Sequence, residues 1–118
     1  MGRYIELAAA DGFRLAAYRA DPAGSPRGAL VVAQEIFGVN GHIRSVCDAF
    51  AADGYVAIAP ALFDRYELRV DIGYTPPDIA RGRALKALAQ LDPALRDIAS
   101  ARDAVAAAGK VAVIGYCW

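Results

Sequence analysis

The chain has 118 residues, a size that fits one ordinary domain with a modest hydrophobic core. Thirteen basic side chains balance thirteen acidic ones and neither sign forms a run, so no long-range field favours DNA, RNA or an anionic membrane, and small neutral or singly charged substrates are left. Met1-Gly2-Arg3-Tyr4-Ile5-Glu6 has neither a secretory apolar core nor the Ser or Thr of a myristoylation signal, no apolar stretch reaches the roughly 18 residues that cross a bilayer, and two cysteines without close spacing suit reduced thiols; the expected setting is cytoplasmic.

Tyr4 to Ala8 and Phe13 to Tyr18 flank Asp11-Gly12, a dipeptide that tolerates the positive dihedrals of a two-residue hairpin turn, so the chain is expected to open with antiparallel strands. Asp21-Pro22-Ala23-Gly24-Ser25-Pro26 is turn chemistry, and the continuous apolar run Ala29 to Ala33 suits a central strand buried on both faces. Ile43, Val46, Cys47 and Phe50 then follow helical spacing, with Asn40 as the cap and Gly54 as the stop. Tyr55 to Ala59 repeats the buried-strand pattern before Pro60, and Leu62 to Thr75 shows no sustained period and reads as an irregular excursion. Thr75-Pro76-Pro77-Asp78 starts a helix leading to Leu85, Leu88 and Leu91; Asp92-Pro93 starts another through Leu95, Ile98 and Val105 to Gly109; Lys110 to Ile114 forms the last strand. The order implies an α/β fold, an antiparallel first hairpin followed by parallel strands flanked by helices, with sites at the carboxyl ends of the strands.

The sequence ends on Gly115-Tyr116-Cys117-Trp118, directly after the apolar run Val111-Ala112-Val113-Ile114. A strand-to-helix turn of the form Gly-x-nucleophile-x-Gly exposes its central residue at the top of a parallel sheet, where a thiol can attack a carbonyl. Cys117 takes the central place, and the second glycine is missing from these 118 residues.

Two segments together carry a specific likeness: Ala33-Gln34-Glu35-Ile36-Phe37-Gly38-Val39-Asn40 after the third strand, and Val113-Ile114-Gly115-Tyr116-Cys117-Trp118 after the fifth. With Gly54-Tyr55-Val56-Ala57-Ile58-Ala59-Pro60, Asp92-Pro93 and Gly109-Lys110-Val111, the chain resembles the dienelactone hydrolase family along its length. The resemblance implies the α/β-hydrolase sheet, a cysteine nucleophile, and an acid and a histidine that come later in the chain. On that reading residues 1–118 are the amino-terminal part of a single α/β-hydrolase domain, ending at the nucleophile turn, with the triad Asp and His absent and turnover by these residues alone negligible.

The resemblance assigns roles to particular positions. Cys117 would attack an acyl carbon to give a thioester through a tetrahedral oxyanion, and backbone N–H groups of Ile36 and Trp118 would stabilise that oxyanion, as this fold arranges them. Glu35 stands at the end of an apolar strand, where a carboxylate is costly unless paired, hydrogen-bonded or protonated; a family glutamate here contacts the thiol and helps control thiolate formation. Arg81, counted back from Asp92, matches a family arginine that holds the substrate carboxylate in a planar fork of donors, with Arg83 as the rival. Where the family frequently carries an aspartate after Pro60, this sequence has Ala61.

His42 is the sole histidine but precedes Cys117, whereas the fold's order is nucleophile, acid, histidine; it reads as a polar residue in a first helical turn. Cys47 lies in the apolar stripe and reads as core. A metal site from His42, Cys47 and Cys117 would need a closer ligand pattern, and no cofactor is implied. The expected substrate is a small lactone or ester. Another α/β-hydrolase esterase or thioesterase is the alternative within enzymes, and a non-enzymatic small α/β binding module the alternative outside them, though no glycine-rich phosphate cradle occurs. Neither a nucleic acid nor a membrane is an expected partner, and an unpaired last strand would invite self-association and make folding marginal.

Overall fold

In the computed structural model, which describes residues 2–117, β1 (Arg3–Ala8) and β2 (Arg14–Ala20) pair antiparallel with Leu7 opposite Leu15 and Ala8 opposite Arg14. The connection is longer than the two-residue turn expected from Asp11-Gly12. Ala9 N–H donates to the Phe13 carbonyl at 2.8 Å and Gly12 N–H to the Ala9 carbonyl at 2.9 Å, closing a loop around Ala10, Asp11 and Gly12. Gly12 takes φ +86, the left-handed step that lets a three-residue loop rejoin a twisted ladder.

β3 (Ala29–Ala33), α1 (Gly41–Ala52), β4 (Val56–Pro60), α2 (Pro76–Leu88), α3 (Leu91–Val105), a 3-10 turn (Ala106–Ala108) and β5 (Val111–Gly115) follow. The five strands form one sheet in the order β1-β2-β4-β3-β5, with β2 antiparallel to β4 and β3 parallel to both β4 and β5. Successive residues of a strand face opposite sides of a sheet. Val31, Val56 and Ile58 therefore join Leu15, Ala17, Ala101 and Val105 in the core on the α3 face, while Val32, Ala57 and Ala59 join Tyr18, Ile43 and Cys47 on the α1 face. Both faces are covered, which is why β3 and β4 read as unbroken apolar runs. Val31 and Ile58 have no exposed surface, and burial of such side chains contributes about 1.5–3 kcal/mol each.

α1 and α2 start where side-chain chemistry can satisfy their free N–H groups. Asn40 Oδ1 accepts from Ile43 N–H at 3.2 Å, and Thr75 Oγ1 accepts from Asp78 N–H at 3.3 Å. α3 begins at Leu91, capped by Gln90 without a side-chain bond, with Asp92 and Pro93, expected to start it, in its first turn. The helix expected to lead through Leu85, Leu88 and Leu91 ends at Leu88, and Leu91 opens α3; Leu85 is buried, while Leu88 and Leu91 are 58% and 69% exposed.

The excursion between β4 and α2 is folded back by a partly buried ion cluster. Arg65 reaches Asp97 on α3 through two bonds of 2.8 and 3.0 Å, and Asp11 in the hairpin loop through two more of 2.8 and 3.0 Å. Its guanidinium also lies over the Phe13 ring at 4.6 Å. Asp97 has no exposed surface, so its charge is tolerated only because this fork meets it. Asp64 adds a second tie, accepting from Ala16 N–H at 2.9 Å and from Arg69 N–H at 3.2 Å.

Candidate active site

The strand order reverses beside β3: β4 lies on one side of it and β5 on the other. Open α/β sheets bind ligands outside the carboxyl ends of their strands at such a reversal. The carboxyl ends of β3 and β5 carry the two segments singled out from sequence.

The turn after β3 is held from several directions. Gln34, 1% exposed, donates from Nε2 to the Glu35 carbonyl at 3.0 Å and accepts at Oε1 from Leu62 N–H at 2.9 Å, tying the strand end to the excursion. Glu35 and Gly38 then close a tight turn around Ile36 and Phe37. Gly38 adopts φ +79 and bridges to Asp71, and a Cβ there would collide with the Val70 carbonyl oxygen, so only glycine fits. Ile72 N–H donates to the Phe37 carbonyl at 3.1 Å, and the Phe37 and Tyr74 rings meet edge to face at 4.5 Å. Asn40, besides capping α1, donates from Nδ2 to the Ile72 carbonyl at 3.2 Å and to the Tyr74 hydroxyl at 3.1 Å. From the far side, α2 presses Gly82 against Ile36, where a Cβ would collide with the Ile36 carbonyl oxygen. Among the described residues Ile36 N–H makes no hydrogen bond and remains a donor on a rigid support.

Glu35 is half-buried, and its Oε1 is enclosed without a hydrogen-bond partner among the described residues. Native folds leave few such atoms, and each calls for a partner or a task.

Cys117 is exposed, two residues past Gly115, and Gly115 pairs with Ala33, two residues before Glu35. The parallel register therefore carries Cys117 and Glu35 past neighbouring strand ends by the same count. No hydrogen bond joins them among the described residues. Tyr116, beside Cys117, sets its ring edge to face at 6.1 Å with exposed His42 in the first turn of α1. Trp118, the other expected oxyanion donor, lies outside the described residues.

Arg81 sits on α2, one residue before the Gly82 contact with Ile36, and forms an exposed ion pair with Glu67 of the excursion. Arg83 is exposed on the same helix. Cys47 is fully buried in α1, and desolvation pushes its thiol up to about 12, which keeps it protonated and inert. Among the described residues no three His, Cys, Asp or Glu side chains converge as a metal site requires. A groove of about 640 Å³ lies elsewhere, between β1, β2 and residues 68–71, and includes neither Glu35 nor Cys117.

Gln34, Gly38 and Gly82 are the positions whose importance sequence reasoning missed. Gln34 and Gly38 stood inside the quoted segment without an assigned role, and the mid-helix placement of Gly82, which costs about 1 kcal/mol against alanine, was the available signal.

The dienelactone hydrolase family model matches residues 15–118. The protein named "Putative carboxymethylenebutenolidase" of Synechocystis sp. is 49% identical over 74 residues, covering 62% of this chain and 30% of that protein. Carboxymethylenebutenolidase 1 of Cupriavidus pinatubonensis is 29% identical over 119 residues, covering 96% of this chain and 50% of that protein. Among solved structures, the "Putative Dienelactone Hydrolase" of Klebsiella pneumoniae subsp. pneumoniae superposes with a TM-score of 0.78 at 29% identity, covering all of this chain and 51% of that one. The chain thus spans between about a third and about half of the length of these relatives.

Proposed function

Because the chain belongs to the dienelactone hydrolase family, we propose that it carries the nucleophile half of a site that opens a lactone or carboxylic ester, with Cys117 as the attacking group. Cys117 Sγ, as thiolate, adds to the acyl carbon; the carbonyl oxygen takes the negative charge, and collapse expels the alkoxide, leaving a thioester that water then hydrolyses. Ile36 N–H and Trp118 N–H receive the oxyanion. Glu35 controls the charge state of the thiol, and its enclosed, unpartnered Oε1 supports that role. The acid and the histidine come from sequence that the relatives have and these 118 residues do not, since His42 precedes the nucleophile in a fold whose order is nucleophile, acid, histidine.

The observation that carries this reading is the clamped turn at Ile36, aligned by register with the turn at Cys117. A donor that must meet charge only in the transition state is useful when its position is fixed beforehand. The exposed Cys117 and inert, buried Cys47 support assigning the chemistry to one thiol. Two free thiols suit a reducing, cytoplasmic setting, and no described helix is long and apolar enough to cross a membrane. The unpaired edge of β5 supports self-association of these 118 residues through strand pairing.

Substrate choice turns on Arg81. Holding a substrate carboxylate requires Arg81 to exchange Glu67 for it; an esterase or thioesterase with no such need is the second reading, favoured by that existing ion pair. In the polypeptide extended to the length of its relatives, hydrolysis of carboxylated and uncarboxylated lactones separates the two. Loss of hydrolysis in Cys117→Ala together with selective loss on carboxylated lactones in Arg81→Ala supports the first reading. Equal rates on both, unchanged in Arg81→Ala, support the second, and hydrolysis that survives Cys117→Ala removes both.

A further inference from the structure

We propose that the groove between β1, β2 and residues 68–71 is a second ligand site, taking a small carboxylate with an apolar body. At about 640 Å³ the groove has the size of small-molecule sites, and Leu15, Val39, Ala61 and Val70 contribute apolar wall. Its charged groups are mostly spoken for. Glu6 is paired with Arg14 at 2.7 Å, Asp71 with Arg44 at 2.8 Å, and the Asp64 oxygens accept from Ala16 and Arg69 N–H groups. What is left is the Arg69 guanidinium, which has no ion-pair or hydrogen-bond partner among the described residues.

The backbone at Arg69 supplies an independent reason to read this cation as functional. Arg69 is the non-glycine residue of the described chain with positive φ, at 58°, a conformation that suits glycine, asparagine or aspartate. A glycine would relieve the strain but remove the guanidinium. Strain retained at a site that offers a free cation to a groove points from an observed outlier to a task. The buried Asp64 carboxylate holds the strained Arg69 N–H, and a planar guanidinium receives a carboxylate through parallel donors while apolar walls take the hydrocarbon. This site is separate from the Cys117 turn and stands whether or not the esterase reading does.

Calorimetric titration of the 118-residue chain with 4-phenylbutyrate, and with its neutral amide, tests the proposal. Saturable binding of the carboxylate is expected, about tenfold tighter than the amide, and weakened about tenfold in Arg69→Gly. The melting temperature of Arg69→Gly is expected to equal or exceed that of the parent, so the lost affinity is not lost folding, and Arg69→Lys is expected to keep part of the preference for the carboxylate. Absence of saturable binding, equal affinity for acid and amide, or undiminished binding in Arg69→Gly would overturn it.

Discussion

The turn that follows β3 and the turn that follows β5 stand at neighbouring strand ends, yet they are supported very differently. The first is gripped by Gln34 and Asn40 side chains, by backbone bridges from residues 70–72 and by the face of α2. The second extends from a strand that, among the described residues, pairs with β3 alone, where Val113 is 56% exposed and Cys117 is open to solvent. On the proposed reading, the difference separates the two demands of acyl transfer. A donor for an oxyanion works by being fixed in advance, whereas a nucleophile needs access and a partner to take its proton.

The largest expected effect comes from cutting the excursion that grips the first turn. Arg65→Ala leaves Asp97 charged and buried without its fork, and such losses cost about 3–5 kcal/mol; chemical denaturation of variant and parent measures it. Next is a paired test of the two turns. Gly38→Ala meets both a positive φ and the Val70 carbonyl, a combination expected to cost about 3 kcal/mol, while at Gly115 an added Cβ finds ordinary contacts at 3.5 and 3.7 Å and should cost under about 0.5 kcal/mol. Equal melting temperatures for these variants would erase the contrast. Gly82→Ala gains helix propensity but drives α2 off the Ile36 carbonyl, for a net loss of roughly 1–2 kcal/mol by the same assay.

A smaller effect should appear on acidification. The Arg65 guanidinium holds the Asp11 carboxyl down to about 2 from its ordinary 3.8. A carboxyl lowered on folding contributes stability that is complete above its unfolded value and is lost as pH falls toward its folded one. Melting temperature should therefore drop between about pH 4 and about pH 2, and less steeply in Asp11→Asn; identical slopes would remove Asp11 from the clamp. Smallest of all is the edge of β5, where Val113→Lys should reduce concentration-dependent sedimentation without altering the melt.

How far the sequence foretold this molecule depended on the range of the interactions involved. Buried strands were legible because Ala29 to Ala33 and Val56 to Ala59 must satisfy helices on both faces, and the Asn40 cap because its partner, Ile43, is three residues away. The clamp was not legible: Arg65 meets Asp11 and Asp97 across 54 and 32 residues, and nothing local marks them as a set. Leucine spacing carried the expected helix on to Leu91, whereas α2 ends at Leu88 and Leu91 opens α3, because helical period reports a face and not where a helix stops. At the site, the segments around Glu35 and Cys117 stood out as motifs, but the service of Gln34, Gly38 and Gly82 rests on close approaches that only the folded chain reveals.

The proposal that Cys117 is the acyl acceptor is tested most directly by mass mapping of the 118-residue chain after incubation with p-nitrophenyl acetate. One acetyl group per chain on Cys117, none on Cys47, and release of a single equivalent of nitrophenol without sustained turnover is the expected result. Acetylation centred on any other residue, or steady release that persists in Cys117→Ala, would contradict it.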